Sequence, residues 1–343
     1  MRSWKSGSPT SPGSPGSRDR GFAATGTGTA VGMGVTGPAE AAAGLRQPGV
    51  SRAKAWVMAA RIPTLPAATA PVLAGTGAAA AHGPLSLPVF LATLAAALLI
   101  QVGTNFANDL YDFRKGADRP GRLGPTRVTQ TGLLSERDVE RGTVVAFGAA
   151  VLIGAYLASV GGWPIVAVGL ASIVAGVLYT GGPWPIGYHG LGDLFVFVFF
   201  GVVAVTGTFY LQAGAVTPGA LLASVPVGLL VTDILVVNNL RDIDQDRQAG
   251  KRTLAVRIGE QATRIQYALF VATAFAMPAV LRAVGAAGTL FWLPWLSAPI
   301  AWPLVRRVLG GERGATLNQV LKGTGRLLLA FSALLAIGMA WSP

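Results

Sequence analysis

Long apolar blocks decide what this chain can become. Each runs roughly 18–24 residues, the length of helix that crosses a bilayer. They cover residues 63–81, 86–108, 143–160, 163–180, 191–211, 218–239, 264–284, 288–305 and 322–341. Lipid offers no hydrogen bonds, so a segment of this length satisfies its backbone by folding as a helix. Pro226, Pro278, Pro299 and Gly169 lie inside these blocks and are tolerated there, because neighbouring helices re-satisfy the backbone. With 52% apolar and only 12% charged residues, the chain is far from the make-up of a soluble domain. The expectation is an all-α polytopic membrane protein with nine transmembrane helices.

Charge placement predicts its orientation. All but one (Arg282) of the 27 Lys and Arg precede the first block or sit in and beside the loops after the second, sixth and eighth. Basic residues gather on the cytoplasmic side. That places the N-terminus and these loops in the cytoplasm, in a cell-membrane protein. The net charge of +12 is then accounted for by loops near anionic lipid rather than by a nucleic-acid partner. Residues 1–50 are rich in Gly, Ser, Thr, Pro and Ala without periodicity, and are expected to form a disordered tail ahead of a membrane domain over 51–343. Cysteine is absent, which excludes disulfides and thiolate metal sites, and His82 and His189 are the only histidines.

Two polar clusters stand out at the ends of blocks two and six. In the first, Asn105, Asn108, Asp109 and Asp112 fall at i, i+3, i+4 and i+7, one face of a helix. In the second, Asn238, Asp242 and Asp246 share a face while Asp244 points away. Arg114, Lys115, Arg122 and Arg127 follow the first cluster; Arg241, Lys251 and Arg252 accompany the second. A single acidic run at a helix end is usually solvated charge. Two Asn-plus-Asp faces on one side of a membrane demand more, because clustered carboxylates there are unfavourable unless cations neutralise them. Oxygen ligands with basic side chains close by suit Mg²⁺ bridging a diphosphate. No Gly-rich nucleotide loop is present, so a diphosphate on a lipid tail is favoured over ATP. Asp233, inside block six, is a further functional candidate as an ionisable residue within a span.

At this point the motifs resemble a known family. Asn108-Asp109-x-x-Asp112 with Asp118 downstream, paired with Asp242-x-x-x-Asp246, is similar to the UbiA superfamily of intramembrane prenyltransferases. Arg61-x-x-Thr64, Arg122-x-Gly124-Pro125, Tyr179-Thr180-Gly181-Gly182-Pro183, Leu191-Gly192-Asp193 and Gly250-Lys251-x-Thr253-Leu254 look like its menaquinone branch, which prenylates 1,4-dihydroxy-2-naphthoate. The resemblance implies nine helices with two Asp-rich cytoplasmic motif loops, and Mg²⁺ as cofactor. It implies transfer of a polyprenyl group from a polyprenyl diphosphate, with loss of the ring carboxylate. Asp109, Asp112, Asp242 and Asp246 would be catalytic, and together with Asp118 would hold the metal. Asn105, Asn108, Arg61, Lys115, Arg122, Arg127, Tyr179, Asp193, Asn238, Arg241 and Lys251 would bind substrates. The branch more often carries Glu near Asp193. Another acceptor within the superfamily is the alternative. A cation transporter fits less well, since it calls for charges at the bilayer midplane and only Asp233 lies clearly inside a span.

Overall fold

A computed structural model describes residues 50–116 and 123–341, and every regular element among them is helical. The expected tail over 1–50 lies outside the described residues but for Val50, as do Asp118 and Arg122.

Helix α1 (Arg52–Ala60) starts at Ser51, whose hydroxyl accepts the Lys54 N–H, and ends at Arg61 in the left-handed conformation, φ 52°. A short turn over Ile62–Thr64 leads into α2 (Pro66–Ala80). Pro63 and Pro66 cannot continue a preceding helix, and the chain bends by 50° between α1 and α2. Then come α3 (Leu87–Arg114), α4 (Glu136–Gly161), α5 (Trp163–Leu178), α6 (Gly192–Ala213), α7 (Pro218–Gln248), α8 (Leu254–Ile258), α9 (Glu260–Ala283), α10 (Ala298–Leu309) and α11 (Leu317–Ala340). A capping box of Ser135 and Asp138 starts α4, and the Thr217 hydroxyl caps α7.

Six of these helices are long and apolar enough to span a membrane, or seven with the bent α1–α2 pair taken as one span. The chain is a multi-pass membrane protein. The nine expected blocks all appear as helix, but not as nine full-length spans. Helix α5 is only 16 residues long. The block at 288–305 opens as a 3₁₀ turn over Leu293–Ser297 and gives a 12-residue α10. Pro294, Pro299 and Pro303 withdraw backbone donors there, which apolar length alone does not register.

Helix α7 is the axis of the bundle: 72% of its apolar window is buried, against 22% for α3 and α4. Its Val227, Leu230, Val231 and Val237 meet Ala70 and Ala74 of α2 and Leu327, Leu328 and Phe331 of α11 in the main core. Association in lipid depends on close packing, which small residues permit. A Cβ at Gly77 of α2 would fall 2.3 Å from the Ala336 Cα of α11, and one at Gly201 of α6 would fall 2.6 Å from the Gly228 Cα of α7. Around Gly201, α6 widens into a π-helical stretch, Phe197–Val203. Such stretches recur beside functional sites.

Candidate active site

The last turns of α3 and α7 open onto one cavity of about 670 Å³. The first motif divides its work around it. The Asn105 amide, 3% exposed, donates to the Ala60 carbonyl at 2.9 Å and the Thr64 hydroxyl at 3.0 Å, fastening the α1–α2 bend to α3. Asn108 accepts the Thr180 hydroxyl at 2.8 Å. Asp112 faces the cavity and is nearly saturated. One oxygen takes Arg127 Nη2 at 2.6 Å; the other takes the Tyr188 hydroxyl at 2.6 Å and Lys251 Nζ at 3.2 Å. Asp109 turns away from the cavity. Its carboxylate accepts the Val128 N–H at 3.2 Å and the Thr129 N–H at 3.1 Å, with Arg61 Nη2 4.0 Å off. It pins the loop that carries Arg127 inward, so its contact with the site runs through that loop.

The second motif is built around a buried ion pair. Arg241 grips Asp242 with Nε at 2.8 Å and Nη2 at 2.6 Å, the bidentate geometry that guanidinium and carboxylate favour. The same guanidinium donates to Asn238 and to Asn318 of α11, each at 2.8 Å, and Asn318 donates to the Leu123 carbonyl at 2.9 Å. The two motif loops are therefore braced together through α11. Asp246 is half-buried and lines the cavity; Asp244 is exposed and pairs with Arg247.

Tyr188 was missed by sequence reasoning, although it lies close behind the Tyr-Thr-Gly-Gly-Pro stretch. Beyond its bond to Asp112, its ring has Lys251 Nζ 4.5 Å and Lys115 Nζ 5.3 Å from the centroid. Lys115 also donates to the Thr180 and Gly182 carbonyls, at 2.7 and 3.1 Å. Burial pushes its ammonium below the usual lysine range, against the opposing pull of Asp112. Thr180 and Asn318 are further contributors that no charge pattern singles out. Arg114 does not reach the cavity: it pairs with Glu136 and Glu140. Arg252 is exposed and donates its backbone N–H to the Tyr188 carbonyl.

Next to the cavity lies an apolar pocket of about 130 Å³ between α3, α5 and α6, walled by Ile100, Phe195 and Phe199. Tyr179, Thr104, Val196 and Phe200 belong to both spaces. Asp193, 8% exposed and lining neither space, accepts the Gln266 amide at 2.7 Å.

Among the described residues no three acidic or histidine side chains form a ready-made metal cage. The donor set still fits a hard divalent cation. Asp112, Asp242 and Asp246 offer carboxylates and Asn108 and Asn238 offer amide oxygens around one space. Mg²⁺ is ordinarily held by one or two carboxylates plus substrate phosphates, not by an all-protein cage.

Comparison with known proteins gives the site its context. The profile of the UbiA prenyltransferase family matches residues 68–320. The chain is 40% identical over 292 residues to a 1,4-dihydroxy-2-naphthoate octaprenyltransferase of Mycobacterium tuberculosis, covering 83% of this chain and 97% of that one. It is 35% identical over 296 residues to the Escherichia coli protein of the same name, covering 84% and 96%. Its fold is similar to that of a UbiA homolog from Archaeoglobus fulgidus bound to GPP and Mg²⁺, with TM-score 0.62, 16% identity, and 82% and 99% coverage. The apo UbiA homolog from Aeropyrum pernix gives TM-score 0.61 at 19% identity, with 79% and 96% coverage.

Proposed function

The chain belongs to the UbiA prenyltransferase family, and on that premise we propose that it transfers a polyprenyl group from a polyprenyl diphosphate to 1,4-dihydroxy-2-naphthoate, with loss of the ring carboxylate, to give demethylmenaquinol. The observation that carries this reading is the shape of the cavity. Carboxylates from two helix ends and the cations Arg127, Lys251 and Arg241 converge at one end, and an apolar pocket adjoins the other.

Asp112, Asp242 and Asp246, helped by Asn108 and Asn238, would hold Mg²⁺, with Asp118 as a further ligand and Arg122 for the diphosphate, both outside the described residues; Asp109 acts through the loop that it holds. Bound there, the metal supplies Lewis-acid neutralisation of the charge that grows on the leaving diphosphate. The chain's own residues do the rest. Lys251, Arg127 and Lys115 are near enough to Asp112 and Tyr188 to exchange those contacts for phosphate oxygens. Arg61 at the cavity wall is placed for the acceptor's carboxylate. The first isoprene unit of the donor enters the apolar pocket beside Phe195 and Phe199, and the shared wall at Tyr179 brings its reactive end to the aromatic ring. Burial between helices keeps water from the allylic cation.

In the cell membrane, we place the N-terminus and both motif loops in the cytoplasm. The chain crosses nine times, with α5 and the 293–309 segment as the short spans. The test is to incubate membranes containing the protein with 1,4-dihydroxy-2-naphthoate, Mg²⁺ and a series of polyprenyl diphosphates, and to analyse products by mass spectrometry. A prenylated, decarboxylated naphthoquinol is expected. Its absence with every donor sinks the reading and moves the acceptor to another aromatic of the superfamily.

A further inference from the structure

The loops after α5 and α7 are tied together by Arg257, a side chain that does not line the cavity. Local sequence brings it there. Helix α7 closes at Gly250, φ 74°, with the Gly250 N–H bonded to the Arg247 carbonyl and the Lys251 N–H to that of Asp246. This Schellman arrangement needs a left-handed residue just past the helix and so selects glycine. It turns the chain back at Lys251. The Thr253 hydroxyl then caps α8 by accepting the Val256 N–H, and this five-residue helix carries Arg257 in its last turn. Helical side chains lean toward the N-terminus of their helix, so the guanidinium lies back over the start of its own loop.

There it bridges two carbonyls from different loops. Arg257 Nη2 donates to the His189 carbonyl at 2.9 Å and Nε to the Arg252 carbonyl at 3.1 Å. The Arg252 N–H in turn donates to the Tyr188 carbonyl at 2.8 Å. This close approach depends on Gly190, φ 76°. A Cβ there would fall 2.8 Å from Arg257 Nε and 3.1 Å from the Arg252 carbonyl oxygen, so a side chain would displace the guanidinium. The turn is also closed on itself. The His189 ring stacks on Trp184 with centroids 4.1 Å apart and donates from Nδ1 to the Pro185 carbonyl at 2.8 Å.

These bonds fix the register of two neighbouring residues. Tyr188 precedes His189, Lys251 precedes Arg252, and both side chains reach the same oxygen of Asp112, at 2.6 and 3.2 Å. Lys251 Nζ also lies 4.5 Å from the Tyr188 ring centroid. An ammonium on a four-carbon stem is flexible, and it keeps a place over an aromatic face only where the ring arrives with it. Holding two loops in one arrangement costs conformational entropy, which bonds between them must offset. A guanidinium suits this task because its rigid fork presents donors in fixed directions to two acceptors at once.

We infer that Arg257 is a positioning residue of the candidate active site, strapping the Tyr188 turn to the Lys251 loop so that both side chains meet Asp112 in register. Arg257 acts through Tyr188 and Lys251 alone. Its effect on transfer rests on the proposed function, whereas the strap does not.

The test has two arms. Hydrogen–deuterium exchange of the purified full chain, without substrates or metal, is expected to run faster over residues 186–193 and 250–257 in Arg257→Lys than in the wild type. Unchanged exchange overturns the strap. In magnesium titrations of prenyl transfer, Arg257→Lys is expected to raise the half-maximal concentration roughly tenfold, the size of one lost hydrogen bond to a charged group. Gly190→Ala, which displaces the same guanidinium from the other side, is expected to do likewise. Adding Tyr188→Phe to Arg257→Lys is expected to raise the midpoint by less than the product of the single effects, because both act on one contact. Lysine keeps the charge, so a wild-type midpoint in Arg257→Lys reduces Arg257 to its charge and overturns the positioning role. Effects that simply multiply in the double variant overturn it too. If no naphthoate is prenylated at all, the exchange arm still decides the strap, so its failure and that of the proposed function remain distinct.

Discussion

Tyr188 donates its phenolic hydrogen to Asp112 across 2.6 Å, and this one contact joins the loop after α5 to the end of α3. Lys251, from the second motif loop, shares the same carboxylate oxygen at 3.2 Å. Three separated stretches of sequence thus meet on a single atom.

Replacing Tyr188 by Phe removes a hydrogen bond to a charged acceptor, worth about 1.5–3 kcal/mol. Asp112 is then held by its cations alone and Lys251 loses its registry. The expected result is a roughly tenfold or greater rise in the Mg²⁺ concentration needed for half-maximal transfer, together with a lowered melting temperature. A magnesium titration on the variant checks it; an unaltered midpoint removes Tyr188 from the site.

Asp242 calls for two substitutions. Asp242→Ala leaves the Arg241 guanidinium, with a side chain 1% exposed, without its partner carboxylate. Breaking such a buried pair costs about 3–5 kcal/mol, so poor folding is expected in detergent melts. Asp242→Asn retains hydrogen bonds to Arg241 and folds, yet loses roughly 10²-fold or more in transfer, the scale of losing a key electrostatic contributor. Near-normal turnover by Asp242→Asn contradicts its role.

Asp109→Ala acts through backbone. It deprives the Val128 and Thr129 amides of their acceptor, at about 1–3 kcal/mol for each group left unsatisfied. Limited proteolysis is expected to cut faster between residues 123 and 134, and transfer falls because Arg127 is no longer held at Asp112. A protease pattern identical to wild type disproves this route.

Chelation by EDTA is expected to stop transfer completely, and added Mg²⁺ to restore it. Turnover that persists in EDTA means that Arg127, Lys251 and Arg241 alone neutralise the leaving group.

Gly201→Ala forces a methyl group against the Gly228 Cα, 2.6 Å away, where α6 and α7 touch. Overpacking of this kind costs about 1–3 kcal/mol, visible as a lower melting temperature and, because the π-helical stretch shifts, as altered preference among prenyl donors. Unchanged melting means that the helices separate without penalty.

Much of this architecture was legible in the chain. Apolar block length located the long helices but not the short α1 and α8, and the shared face of Asn238, Asp242 and Asp246 emerged from helical spacing alone. Spacing could not say what each carboxylate of the first cluster's face would meet: Asp109 stands one turn before Asp112 on the same helix. In the structure the loop at 128–129 claims its carboxylate, a contact between segments 19 and 20 residues apart. Tyr188 and Asn318 gave no periodic signal, since their partners lie 76 and 77 residues away.

What the sequence determined by itself is whatever depends on local repetition. Hydrophobic length dictates membrane helices, and i, i+4 spacing dictates which carboxylates share a turn. The tertiary structure alone decided the pairing. Arg241 grips Asp242, Tyr188 and Lys251 converge on Asp112, and Asp233 is left buried without a hydrogen-bond partner among the described residues. The reason is physical: a side chain's charge state and contacts depend on what other helices bring within a few ångströms, and no spacing along one helix encodes that.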